Sequence, residues 1–155
     1  MGIDFKGRVA IVTGAGGGLG KQHALALAAR GAKVVVNDLG GDVHGVGGSV
    51  SAAQAVVDEI RAAGGEAIAN GASVTDFEAV QKMVQQAMDT WGRVDILFNN
   101  AGILRDKSFA KMELADFRLV MEVHVMGAVH CSKAVWPIMQ AQNYCLLYTS
   151  DAADE

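Results

Sequence analysis

The sequence predicts an α/β fold: a parallel sheet wound in two directions, with helices on both faces. Three observations carry this. Short β-branched runs without polar alternation, such as Val9 to Val12 and Val34 to Val36, suit strands covered on both sides. Stretches of helical periodicity separate these runs, and glycines stand where elements end. Strand and helix alternate along the chain, which implies right-handed crossovers within one sheet.

At 155 residues with 51% hydrophobic and 19% charged side chains, the chain fits one domain with a buried core. The first strand is predicted over 8–12 and the second over 33–38, each followed by glycine. Residues 66–69 and 94–98 read as two further strands. Helices are predicted over 19–30, 51–63, 76–91 and 114–140, with Gly31, Gly64, Gly65 and Gly92 at the cap positions. Thr75 and Asp76 supply an N-cap for the third helix. The glycine-rich loop 39–48 reads either as a flap over a bound nucleotide or as an ordinary flexible insertion.

Composition excludes several classes of partner. The net charge is −4 and the 13 lysines and arginines are scattered, which leaves no basic stripe for nucleic acid. No apolar run approaches the roughly 18 residues of a membrane span. The N-terminus has no apolar signal core, and Lys6 stands where a myristoylation signal needs Ser or Thr. Cys131 and Cys145 have neither metal spacing nor the makings of a disulfide framework, so an intracellular, metal-free protein is expected.

Chemistry concentrates at the carboxyl ends of the predicted strands. After the first comes Thr13-Gly14-Ala15-Gly16-Gly17-Gly18-Leu19-Gly20, a glycine turn that opens a helix. Such a turn exposes backbone N–H groups beside the positive end of the helix dipole and lets a pyrophosphate approach the backbone. The second strand ends at Asp38, 18 residues beyond Gly20. A carboxylate there accepts hydrogen bonds from both adenosine ribose hydroxyls and repels a 2′-phosphate, which favours NAD over NADP. An Asp that merely starts the next turn is the plainer reading. The fourth strand runs into Asn99-Asn100-Ala101-Gly102, where Asn side chains brace neighbouring strands and Ala-Gly leaves a flat floor for a ring and ribose.

From about Lys6 to Tyr144 these motifs resemble the short-chain dehydrogenase/reductase family, a Rossmann-type fold of which this chain would carry the N-terminal portion. Two phrases, Val36 to Asp42 and Asn99 to Asp106, are similar to its (3R)-hydroxyacyl-CoA dehydrogenase branch, found in peroxisomal multifunctional enzymes. The resemblance implies an NAD-dependent oxidation of a (3R)-3-hydroxyacyl-CoA to the 3-oxoacyl-CoA by a homo-oligomeric parent. It implies the cytoplasm, or the peroxisomal matrix in a eukaryote. A hydroxysteroid or other secondary alcohol is the alternative substrate, and a non-catalytic dinucleotide-binding module the alternative to an enzyme.

The implied cofactor set is Gly14, Gly16, Gly17, Gly18, Leu19, Gly20, Asp38, Leu39, Ser73, Val74, Asn100, Ala101 and Gly102. Ser73 and Val74 match the family's adenine-contacting pair, although Ser73 also suits a helix-entry turn. His124 stands where the family usually has an Asn that feeds a proton relay. It also shares a predicted helix face with Phe117, Met121, Ala128, Cys131, Val135 and Ile138, so a core histidine fits equally. His124 and His130 point to different faces and form no metal pair. His23 and His44 have no evident partner.

The family's base is a Tyr-x-x-x-Lys pair on one helix face, with the ammonium lowering the phenol's pKa. Here both tyrosines, Tyr144 and Tyr148, follow the last lysine, Lys133. The expectation is therefore a partial NAD-binding domain over 1–144, joined to a non-native tail over 145–155, with no turnover of its own and marginal stability.

Overall fold

The computed structural model describes residues 2–40 and 51–149. Strand β1 spans Val9–Val12, helix α1 Gly18–Ala29, β2 Lys33–Asn37, α2 Ser51–Ala62, β3 Ala67–Asn70, α3 Phe77–Trp91 and β4 Ile96–Phe98. A short 3-10 turn at Phe109–Lys111 leads into α4, Leu114–Met121, then a π turn at Glu122–Met126, α5 at Gly127–Gln142 and β5 at Leu146–Tyr148. The two ends of α3 follow from its residues. The Asp76 carboxylate caps α3 by accepting from Ala79 N–H, and Gly92 closes that helix in the left-handed conformation at φ 75°.

The five strands are parallel in the order β3-β2-β1-β4-β5. The chain thus moves outward from β1 in one direction and then returns to the other side of it, so the switch in strand order lies between β1 and β4. Residues along each strand alternate between two cores. Ala10, Val12, Val34, Val36 and Ile96 face Ala24 and Leu27 of α1 and Val56 and Ile60 of α2. Val9, Ile11, Val35 and Leu97 face Val80 and Met83 of α3 and Cys131, Val135 and Met139 of α5. Coverage on both faces explains why the strands lack polar alternation.

Three features differ from the sequence reading. The predicted helix over 114–140 is not continuous, because the π turn takes an extra residue between α4 and α5. That extra residue changes the helical phase. Cys131 and Val135 are buried, whereas Phe117, Met121 and His124 on the supposed common face are exposed. His124 is therefore not a core histidine. The sheet also has a fifth strand: Leu146, Leu147 and Tyr148, within the segment read as a tail, pair in register with Ile96, Leu97 and Phe98. His23 has partners too, its ring lying 4.9 Å from that of Phe98 and 5.8 Å from that of Tyr148. His44 and most of the glycine-rich loop fall outside the described residues.

At the opposite, amino-terminal edge of the sheet the Asp95 carboxylate is fully buried. It accepts hydrogen bonds from Arg8 at 3.0 Å, from Arg93 at 2.6 and 2.7 Å and from Val9 N–H at 2.9 Å. The Arg8 guanidinium in turn lies 3.6 Å over the Tyr144 ring. Among the described residues no helix is long and apolar enough to cross a membrane.

Candidate functional site

The loops that leave the carboxyl ends of β1, β2, β3 and β4 meet at the switch point and enclose a cavity of about 590 Å³. Its walls are Gly14 and Gly16 to Gly20 from the first loop, Asp38 and Leu39 from the second, Ser73 and Val74 from the third, and Asn100 to Gly102 from the fourth. Every residue of the set expected from the sequence lies on this one surface. His124 does not. It lines a neighbouring cavity of about 260 Å³ with Arg105, Asp106, Asp116 and Phe117.

The glycine turn is held from below. Thr13 is buried, and its hydroxyl accepts from Asn100 N–H at 3.1 Å and from Ala101 N–H at 3.0 Å while it lies 3.3 Å from the Phe98 carbonyl. The Asn100 amide returns the contact, donating to the carbonyls of Thr13 at 3.0 Å and Gly14 at 3.1 Å. These bonds require close backbones. A Cβ on Gly14 would sit 2.8 Å from Ala101 Cα, and one on Gly20 would collide with the Gly14 carbonyl and the Asn100 amide. Gly17 and Gly18 have open space where a side chain would stand. Gly17 is the N-cap of α1 and has no side chain to take the first-turn N–H groups, and no acidic residue stands in that turn. Among the described residues no side chain caps α1, so the positive end of the helix faces the cavity.

The Asp38 carboxylate is fixed by two backbone donors, Gly16 N–H at 2.8 Å and Gly40 N–H at 2.7 Å. Each oxygen retains acceptor capacity beyond those bonds. Asn37, buried behind it, donates to the Asn70 side chain at 3.0 Å and to the Ala72 carbonyl at 2.9 Å, which ties the ends of β2 and β3. Ser73 serves its turn and its wall together: its hydroxyl lies 2.8 Å from that of Thr75 and accepts from Thr75 N–H at 3.3 Å.

The sequence reading gave no role to Thr13 or Ile103. The first was visible as the leading Thr of the glycine motif, but its role depends on a loop more than eighty positions later. Ile103 had no sequence signal. It lines the large cavity, and its backbone N–H and carbonyl lie 3.1 and 3.0 Å from His124 Nε2. Among the described residues no group of three or more His, Cys, Asp or Glu side chains is placed to hold a metal ion.

A parallel doubly wound sheet with a glycine-lined anion cradle at its switch point and an acidic residue at the end of β2 defines a dinucleotide-binding fold of the Rossmann type. The chain belongs to the short chain dehydrogenase family, whose model matches residues 8–146. It is 57% identical over 154 residues to Peroxisomal multifunctional enzyme A of Dictyostelium discoideum, covering 99% of this chain and 34% of the relative. Against Peroxisomal multifunctional enzyme type 2 of Mus musculus it is 53% identical over 152 residues, covering 97% of this chain and 20% of the relative. Among solved structures, a 7 alpha-hydroxysteroid dehydrogenase complexed with NADH and 7-oxo glycochenodeoxycholic acid superposes with a TM-score of 0.86 at 38% identity. That match covers 98% of this chain and 56% of the other. The chain thus spans about a third or less of these two curated relatives and about half of the solved structure.

Proposed function

We propose that the cavity between β1 and β4 binds NAD and that the whole protein oxidises a (3R)-3-hydroxyacyl-CoA to the 3-oxoacyl-CoA. The observation that carries the cofactor half is the junction of an uncapped helix start with the braced Asp38 carboxylate across one cavity. The glycine turn and the first-turn N–H groups of α1 take the pyrophosphate. Asp38 takes the adenosine ribose hydroxyls and repels a 2′-phosphate, with Leu39 beside it. Ser73 and Val74 border the adenine; Asn100, Ala101 and Gly102, with Leu19 opposite, border the nicotinamide ribose.

When bound, NAD accepts hydride from the carbinol carbon. This chain's own residues bind and orient the cofactor; they hold no Tyr-x-x-x-Lys pair to take the hydroxyl proton. The reading for residues 1–144 is accordingly a partial cofactor-binding domain that turns nothing over. The hydroxyacyl-CoA substrate and a peroxisomal matrix setting are supported by the identity to the two multifunctional enzymes named above. The hydroxysteroid alternative draws on the 38% identical solved structure, a weaker likeness.

Calorimetric titration of the chain with NAD tests the cofactor reading, and micromolar to millimolar binding is expected. No NADH absorbance at 340 nm should develop with a (3R)-hydroxyacyl thioester. A protein that binds neither NAD nor NADH overturns the first reading, and turnover by the 155-residue chain overturns the second.

A further inference from the structure

The wall that the loop after β3 lends to the large cavity is gripped from behind by α5. Val74 lines that cavity and is nevertheless buried, so most of its surface lies against the protein. Two residues of α5, Gly127 and His130, hold it; three positions apart, they share a helix face. Gly127 makes room for the side chain, since a Cβ there would stand 2.7 Å from Val74 Cγ2. His130 takes the backbone, its Nδ1 lying 2.8 Å from the Val74 carbonyl. A carbonyl oxygen only accepts, so this contact requires a proton on Nδ1. The His130 ring is steadied in turn by Phe77 at the start of α3, with ring centroids 5.5 Å apart.

The same loop is tied from the sheet side as well. Asn37 at the end of β2 donates to the Ala72 carbonyl at 2.9 Å, and the Asn70 side chain accepts from Ala72 N–H at 2.9 Å. Residues 72–74 are thus held between two anchors, the end of the sheet on one side and α5 on the other. The sheet anchor is made of several bonds. The α5 anchor on the backbone runs through one side-chain donor, that of His130. Taking that donor away deprives the carbonyl of a buried residue of its partner, and the backbone recovers one only by shifting. A shift of Val74 moves the cavity wall.

We propose that His130 is a positioning residue for the adenosine end of the cavity, fixing through the Val74 carbonyl the wall that borders the adenine. The affinity half rests on the reading that the cavity binds NAD with its adenine against Ser73 and Val74. Loss of the bond weakens ligands that carry adenosine by about threefold to tenfold, the scale of one hydrogen bond.

The first measurement needs no variant. In the chain as it stands, with nitrogen-labelled histidines at about pH 8, where an ordinary imidazole is neutral, the ring resonances report which nitrogen carries the proton. A proton on Nδ1 of His130 is expected, and a ring protonated on Nε2 alone overturns the proposal. The second measurement compares His130→Asn with His130→Leu, side chains of similar size of which only Asn keeps a donor near the place of Nδ1; thermal melts confirm that each folds. ADP-ribose, the adenosine-bearing part of NAD, should bind the parent and the Asn variant alike and the Leu variant about threefold to tenfold more weakly. A Leu variant with the parent's affinity, or an Asn variant as weak as Leu, overturns the proposal. A parent that binds neither NAD nor ADP-ribose overturns the cavity reading and the affinity half with it. Amide resonances of Ser73, Val74 and Thr75 that move in the Leu variant and stay in the Asn variant then leave the positioning of the wall standing.

Discussion

The backbone N–H of Gly16 donates to Oδ2 of Asp38 at 2.8 Å, across the gap between the β1 loop and the end of β2. The approach exists because residue 16 has no side chain: a Cβ would stand 2.7 Å from the Asp38 carboxyl carbon. Gly16→Ala and Asp38→Ala should therefore damage the same feature. Each is expected to weaken NAD binding by about tenfold or more, the scale of a hydrogen bond to a charged group, and the double variant should cost less than the two losses combined. Asp38→Ala alone should narrow the gap between NAD and NADP by removing the charge that repels a 2′-phosphate. Parallel titrations with both dinucleotides measure this.

Two glycines of one turn should behave oppositely. Gly14 has φ 61° and no room for a Cβ beside Ala101, so Gly14→Ala should cost about 1–3 kcal/mol of stability. Gly17 has extended backbone at φ −168° and open space, so Gly17→Ala should leave stability within about 0.5 kcal/mol while it fills part of the cradle. Urea denaturation separates the pair.

Asp95 makes stability depend on acid. Burial pushes its carboxyl upward, but hydrogen bonds from Arg93, Val9 N–H and Arg8, with the Arg93 charge, outweigh burial and hold it below the usual carboxylate range. A depressed native value stabilises the fold above the unfolded value of about 3.9, and the contribution is lost as pH falls through the native value below it. Asp95→Asn should cost about 2–3 kcal/mol at neutral pH, and its deficit against the parent should shrink toward pH 3. Denaturation at several pH values gives the comparison.

The two thiols should differ sharply in reactivity. Cys131 is buried in the α5 core, and burial pushes its thiol up to about 12, whereas Cys145 is exposed. A disulfide reagent at pH 8 should modify Cys145 promptly and reach Cys131 only as the protein unfolds.

Association is the expected hazard in solution. Leu114, Phe117, Val125, Val129 and Trp136 along α4, the π turn and α5 are exposed at 64%, 49%, 46%, 48% and 54%. Beside them β5 is an open sheet edge. Light scattering should report species larger than a monomer and a broad melt, and Phe117→Arg with Trp136→Arg should reduce the scattering. A sharp melt of a monodisperse monomer would count against this.

Much of the architecture was legible in the residues themselves. Buried β-branched runs, the glycine stops and the acidic N-cap are local preferences, so β1 to β4 and α1 to α3 fall within a few residues of their expected places. The candidate cavity was legible for a related reason: strand ends converge at a switch point whenever the order of elements is known, and Gly14, Asp38 and Asn100 each announced themselves at such an end. Where periodicity alone was the guide, it failed. A π turn leaves the apolar pattern of α4 and α5 intact while it shifts their phase, so the solvent exposure of His124 and its hold on Ile103 had no linear signature. β5 is a different case: the apolar run Leu146 to Tyr148 is visible in the sequence but reads as a tail, and its pairing with β4 and the Phe98–Tyr148 ring contact emerge only in the fold. The sequence alone determined which segments become strands and helices, because those choices rest on neighbours along the chain. Only the tertiary structure decided which side chains brace the cavity, since Thr13 with Asn100, Gly16 with Asp38 and His124 with Ile103 meet by hydrogen bonds that fold geometry, not spacing, brings within 3.1 Å.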